Sequence, residues 1–375
     1  MSQSSAESAI TGAGLIVGTI SQQCSNTVSA GKVISQSPTA GTQVSSGTTV
    51  ELVVSTGNCP IQISNIEDLQ KIGNDASYPL NGEYELSQDI DASDTINWNS
   101  GAGFVPIGTS SKPFVGKFNG NGYKIRRLYI NRSGQSYVGL FGNVGAGGEI
   151  TNLGIEEGWV RGGSNTGILV GYNRGIVRNC YSTGIVSGGG NYGSVGGLVG
   201  DNSGTVSQSY STGSVSGSGD YVGGLVGENS GTVSQSYSTG SVSGSGYNVG
   251  GLVGRNEGTV SQSYSTCSVS GRGDYVGGLV GYNYNGSVSQ SYWDVETSGR
   301  SSSAGGEGKT TAEMKQQATY VGWDFTTVWS IEEGVSYPYL RALGPAQELS
   351  IIEIEIDSLY ELQLVGSGWD YPMWG

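Results

Sequence analysis

The chain contains no histidine, and that absence closes several chemical routes. A Ser-His-Asp hydrolase would have no general base. The mixed Cys/His sets that hold zinc cannot form, and the four cysteines make no CxxC pair. Charge is sparse, at 13% of residues, and leans acidic: 31 Asp and Glu against 17 Lys and Arg, a net charge of −14. Nucleic acids and anionic membranes recruit basic patches, so neither is an expected partner. Part of the acidity serves solubility alone. No apolar run reaches the roughly 18 residues of a spanning helix. The opening "MSQSSAESAI" lacks the basic-then-apolar start of a signal peptide.

What the chain has in excess is glycine, 67 in 375 residues, set among Ser, Thr and Val. Residues 1–59 form a first unit. "SQSSAESAITGAGL" reads as a short helix with Ala6, Ile10 and Leu15 facing a core, ended by Gly12 or Gly14. "LIVGTISQ", "KVISQSP" and "TTVELVVSTG" read as strands between Gly, Ser and Pro turns. One helix on a small sheet in under about 60 residues gives a thin core.

The order helix, "GKVISQSPTAG", "GTTVELVVSTG" resembles the PASTA domain, a small extracellular module of cell-wall enzymes and kinases. The match begins just inside that family's usual start. The resemblance implies either contact with peptidoglycan fragments or a spacer role. Cys24 and Cys59 flank the unit, and a thin core gains most from a staple. A disulfide between them is expected, worth on the order of 3–4 kcal/mol for a loop of this size. It would place the chain in an oxidising compartment.

Residues 60–135 read as a leading cap and the first rungs of a solenoid. "SNIEDLQKIGN" is a helix capped by Ser64 or Asn65, and "GEYELSQDIDAS" is a strand. Asp89, Asp91 and Asp94 in "DIDASD" are the candidate metal set, since clustered turn carboxylates can hold calcium. The EF-hand spacing and its closing glutamate are absent, and Asp is also an ordinary turn residue.

Residues 136–300 repeat. The Leu of "GLVG" recurs at Leu140, Leu169, Leu198, Leu225, Leu252 and Leu279, two steps of 29 residues and three of 27. Poor helix formers at this period predict a mainly β fold, a right-handed parallel β-helix, with three strands per turn in "VGGLVG", "GTVSQSYSTG" and "SVSG". Stacking at about 4.8 Å then builds columns of like residues. Val206, Val233, Val260 and Val288 form an apolar column, the last offset by one inserted residue. Tyr210, Tyr237, Tyr264 and Tyr292 form an aromatic column, and Asn202, Asn229, Asn256 and Asn283 an amide column. These units resemble the GLUG repeat of secreted and surface-attached bacterial and archaeal proteins, adhesins and immunoglobulin-cleaving proteases among them. In the proteases the repeats are accessory to catalysis.

Little chemistry stands out in the array. Asp201 and Glu228 share a repeat position and should stack about 5 Å apart, near the spacing of a retaining glycosidase pair. Arg255 follows in the same column, so a surface ion ladder explains the set. Arg272-Gly273-Asp274 is an integrin-type tripeptide produced by one Ser-to-Arg change in a turn. Thr205, Thr232 and Thr259, with Thr212, Thr239 and Thr266, make flat hydroxyl columns that suit ice or simply a β surface. Cys180 and Cys267 lie about three rungs apart, too far to join; they stay free, or Cys267 pairs between molecules.

Residues 301–345 read as a C-terminal cap, with a helix capped at Thr310 or Thr311 and a plug of Trp323, Phe325, Trp329 and Tyr337 over the last rung. Residues 346–375 alternate Ile352, Ile354 and Ile356 with acidic residues, a strand that either opens a truncated module or adds to a second copy. The expected function is non-catalytic: an extracellular or cell-surface adhesin, stalk or filament subunit, with no cofactor beyond the candidate calcium. Its expected partners are itself, cell-wall peptidoglycan or glycans. The alternative is a β-helix that binds or cleaves carbohydrate, and a lesser one an ice-binding surface.

Overall fold

The computed structural model describes residues 1–190 and 193–346; the Ile352, Ile354, Ile356 strand lies outside them. The N-terminal unit follows the sequence reading. Helix α1 (Gln3–Gly12) is N-capped by Ser2, whose hydroxyl accepts from the Ser5 amide. Ala6 and Ile10 turn onto Val50, Leu52 and Val54, with Leu15 half-buried beside them. Strands β1 (Ile16–Gln23), β2 (Val33–Ser37) and β3 (Thr49–Ser55) form one sheet in the order β1-β3-β2, parallel then antiparallel. The Cys24–Cys59 disulfide is formed.

From β4 (Ile61–Ile63) onward the chain winds as a parallel β-solenoid. Helix α2 (Ile66–Lys71) is capped by Asn65, which accepts from the Asp68 amide, and its Ile66 and Leu69 join Ile63 in closing the leading end of the core. One sheet carries nine strands, from Ile61–Ile63 to Ser287–Ser289. At one strand per rung that is a stack of about 38 Å.

Each regular rung holds five short strands rather than the three read from sequence. In one rung they are Tyr221–Gly223, Val226–Asn229, Thr232–Ser234, Tyr237–Ser238 and Ser241–Gly244, spread over four parallel sheets. Two local features make the extra corners. Inside "VGGLVG", a Cβ on Gly223 would overlap the Val226 carbonyl, and one on Gly224 the Gly251 carbonyl. The pair therefore turns the chain where side chains do not fit. Inside "GTVSQSYSTG", Gln208, Gln235 and Gln262 take φ of 48°, 49° and 48°. This left-handed conformation is unfavourable for glutamine. Their amides repay it by stacking: Gln208 Nε2 donates to Gln235 Oε1 at 3.0 Å and Gln235 Nε2 to Gln262 Oε1 at 3.2 Å. Asn179 and Asn152 begin the same corner in the earlier rungs, at φ 53° each.

The expected columns are in register. Val206, Val233, Val260 and Val288 are successive partners, the inserted residue being absorbed in the turn before Ser287. The first three are fully buried, among Leu198, Leu225, Leu252 and their neighbours. Asn202, Asn229 and Asn256 are buried, each donating its amide at 2.8 Å to the next, ending on Asn283; Asn173 extends the ladder backward. Tyr181, Tyr210, Tyr237 and Tyr264 stack with ring centroids 4.8–5.0 Å apart.

The C-terminal cap differs from expectation. Trp323, Trp329 and Tyr320 pack on the flank of the tyrosine column, not over the last rung. Short, buried Ser side chains fill the inner face of that strand, so its tyrosines point outward and need a cover. The last rung is closed instead by a polar crossing: Gly278 N–H donates to the Ser302 carbonyl, Ala304 N–H to the Val280 carbonyl, and Glu307–Lys309 pairs with Tyr292–Asp294. A capping box between Thr310 and Glu313 then starts the helix Thr311–Met314.

Candidate functional site

Along the largest sheet Val160, Val186, Val215, Val242 and Val269 turn inward, so the residues flanking them face outward. One outward column reads Tyr129, Trp159, Ile185, Ser214, Ser241, Ser268. The other reads Asn131, Arg161, Ser187, Ser216, Ser243, Ser270. Beside the second column lies a groove of about 780 Å³ that crosses the rungs. Its floor is glycine, because a Cβ on Gly217, Gly244 or Gly271 would collide with Val222, Val249 or Val276 beneath. Ser218, Ser245 and Arg272 from the following turns form its far wall, and Trp159 and Arg161 its leading end. Trp159 is held flat by Tyr129, with ring centroids 4.7 Å apart and planes at 11°. Among the described residues no carboxylate lines the groove. Sequence reading missed it, since its residues come from turns and outward positions that look individually ordinary; the recurrent "SGS" and the lone Trp159 were the available signals.

The carboxylate column stands on another sheet. Tyr172, Asp201, Glu228, Arg255 and Tyr282 are successive register partners. Glu228 is fully engaged: Oε1 meets Arg255 Nη1 at 2.6 Å, and Oε2 accepts from Ser194 Oγ at 3.2 Å. Arg255 also pairs with Glu257 and lies over the rings of Tyr221 and Tyr284. Asp201 accepts from Asn165 Nδ2 at 2.9 Å; burial, then the neighbouring Glu228 charge, push its carboxyl up to about 7. With both Glu228 oxygens held and Arg255 shared with Glu257, the set forms an ion ladder.

Asp89, Asp91 and Asp94 do not converge as a calcium site. Asp89 accepts from the Lys124 amide and sits 3.4 Å from Arg126. Asp91 pairs with Arg127 at 2.6 Å and accepts from the Ser93 amide, which holds its carboxyl below the usual range. Asp94 lies in the first turn of the 3-10 segment Ser93–Gly101. Arginines from the next rung supply the counter-charge instead, and among the described residues no three acidic or Cys side chains are grouped to hold a metal.

Cys180 and Cys267 are both free and buried. Burial pushes their thiols up, to about 12 and about 11. Arg272-Gly273-Asp274 occupies the turn between Ser268–Gly271 and Tyr275–Gly277, and the Thr205, Thr232, Thr259 column is in register on a half-exposed face. No described helix is long and apolar enough to cross a membrane.

Comparison with known families matches two segments of the chain. Residues 1–56 match the PASTA domain, and residues 273–295 the GLUG motif. Halomucin of Haloquadratum walsbyi is 39% identical over 151 residues, 38% of this chain and 2% of its own length. An Evansella cellulosilytica chain described as a Gly-rich membrane protein is 35% identical over 118 residues, 30% of this chain and 14% of its own. A Lactococcus lactis chain described as serine/threonine-protein kinase PknB is 51% identical over 55 residues, 15% of this chain and 9% of its own. The chain thus spans a small part of each of these relatives. A solved Bacteroides ovatus structure, described as an immunoglobulin A1 protease, shares the fold with a TM-score of 0.57 at 22% identity, over 76% of this chain and 92% of that one. The chain therefore carries an N-terminal PASTA domain followed by a β-solenoid that bears the GLUG motif.

Proposed function

We propose that this chain is a non-catalytic, extracellular part of a cell-surface protein, serving as a stiff stalk or adhesive segment. The observation that carries it is uniformity. Successive rungs repeat the same valine, asparagine and tyrosine in the same register, so the solenoid spends its sequence on stacking. Each rung hydrogen-bonds the next through main chain and amide ladders, which resists bending better than a linker of the same composition would. Glu228 is held by Arg255 and Ser194, and among the described residues no three acidic or Cys side chains are grouped to hold a metal, which supports a non-catalytic reading. Halomucin, the Gly-rich membrane protein and the kinase fit a surface setting, as does the disulfide.

Electron microscopy of the purified chain tests the reading. Rods of the solenoid's length, or filaments built from them, are expected, together with accessibility to surface-directed antibody on intact cells. Turnover of a polysaccharide or protein substrate by the purified chain would overturn it.

A further inference from the structure

Among the described residues, the arginines without a partner lie in the groove. Among the described residues every other arginine has a partner. Arg126, Arg127, Arg178 and Arg255 meet carboxylates. Arg132, Arg300 and Arg341 donate to main-chain carbonyls, and Arg174 lies over the ring of Tyr172. Arg161 and Arg272 have neither an ion pair nor a side-chain hydrogen bond, and both line the groove. In a chain of net charge −14, two bare guanidiniums in a trough whose described lining has no carboxylate leave a local positive field.

We propose that this groove binds a linear acidic polysaccharide lying across the rungs, with its anionic groups on Arg161 and Arg272. Four rung steps separate the two arginines, about 19 Å at the usual strand spacing, so the ligand must be extended and carry charge at more than one point. The serine hydroxyls between them both donate and accept, as sugar hydroxyls do. Trp159, fixed by Tyr129, offers a ring face at one end. A peptide is the poorer match. Strand addition, one common way to bind an extended peptide, needs an open strand edge; the groove runs over strands paired on both sides up to Ser241–Gly244, and on the edge strand Ser268–Gly271 the Val269 carbonyl is already taken by Arg300. Binding here holds for a stalk as well as for any other role of the chain, and its failure would leave the stalk reading intact.

The test is fluorescence polarisation of the intact chain with labelled polygalacturonate and chondroitin sulfate, against dextran and poly-glutamate. Binding of one or both acidic polysaccharides is expected, weakening as salt is raised and strengthening with oligomer length until both arginines are spanned. Arg161→Gln and Arg272→Gln should each lose roughly two- to fivefold in affinity, the worth of an exposed ion pair, and the double variant more. Both side chains are outside the core, so folding is preserved, and circular dichroism checks it. Lysine at either position should retain most binding. Failure of both acidic polysaccharides to bind, equal binding of dextran or poly-glutamate, or an unchanged double variant would each overturn the proposal.

Discussion

Tyr264 donates its phenolic hydrogen to the carbonyl of Pro338 at 2.6 Å, tying the tyrosine column to the C-terminal cap 74 residues later. Around that bond Trp329, fully buried, sits against the rings of both Tyr237 and Tyr264. The cap is thus a lateral clasp across several rungs.

Removing the clasp's centre should loosen it. Trp329→Ala is expected to cost about 3–5 kcal/mol, as for other buried Trp truncations. Tyr264→Phe leaves the buried Pro338 carbonyl without its donor and should cost about 1–3 kcal/mol. Urea denaturation followed by tryptophan fluorescence measures both. A Trp329→Ala loss under about 1 kcal/mol would mean that the cap rests on the ladder without holding it.

The disulfide acts on a separate core. Ala6, Ile10, Val50, Leu52 and Val54 pack among themselves, apart from the solenoid cluster. Cys24→Ser with Cys59→Ser should therefore lower the stability of residues 1–59 by about 2–4 kcal/mol and leave the solenoid transition in place. Under denaturing, non-reducing conditions the unaltered chain should titrate two thiols, Cys180 and Cys267. A count of four would show that the bridge does not form.

Asn229 links rungs on both sides: it accepts from Asn202 at 2.8 Å, donates to Asn256 at 2.8 Å, and is fully buried. Asn283, at the ladder's end, accepts from Asn256 and donates only to the Gly286 carbonyl. Asn229→Ala takes a partner from buried groups on two rungs and should cost about 2–6 kcal/mol, at about 1–3 for each unsatisfied group. Asn283→Ala should cost visibly less. Equal losses would contradict a cooperative ladder.

The columns were legible because a 27-residue period leaves one way to stack Val206 on Val233 or Asn202 on Asn229. What the period does not encode is direction. Tyr237 reads as core by composition yet faces outward under the cap, since the choice depends on Ser238 and Gly224 filling the inside. The glutamine corner was hidden for a related reason. Left-handed φ is a glycine or asparagine signal, and Gln235 adopts it because its neighbours do the same and share amide bonds. The disulfide was readable from position, while Asp91 looked like a metal ligand because Arg127, its partner, is 36 residues away.

Asp201 gives the solenoid a pH dependence with an unusual sign. Its carboxyl is pushed up to about 7 in the folded chain, against about 3.9 for a free Asp. Between those values the folded state holds a proton that the unfolded state has released. Stability is therefore greatest below about pH 4, falls as the pH rises toward 7, and levels off above it as far as this group is concerned. The other carboxylates run the opposite way at low pH, so the effect is isolated by difference. Asp201→Asn keeps a hydrogen bond to Asn165 and removes the burial of charge. It should gain no more than about 4 kcal/mol over the parent at pH 8, at 1.36 kcal/mol per pK unit, with the gain shrinking toward pH 4. Urea midpoints for both chains between pH 4 and pH 8 provide the measurement. A difference that does not change with pH would place the Asp201 carboxyl in its ordinary range.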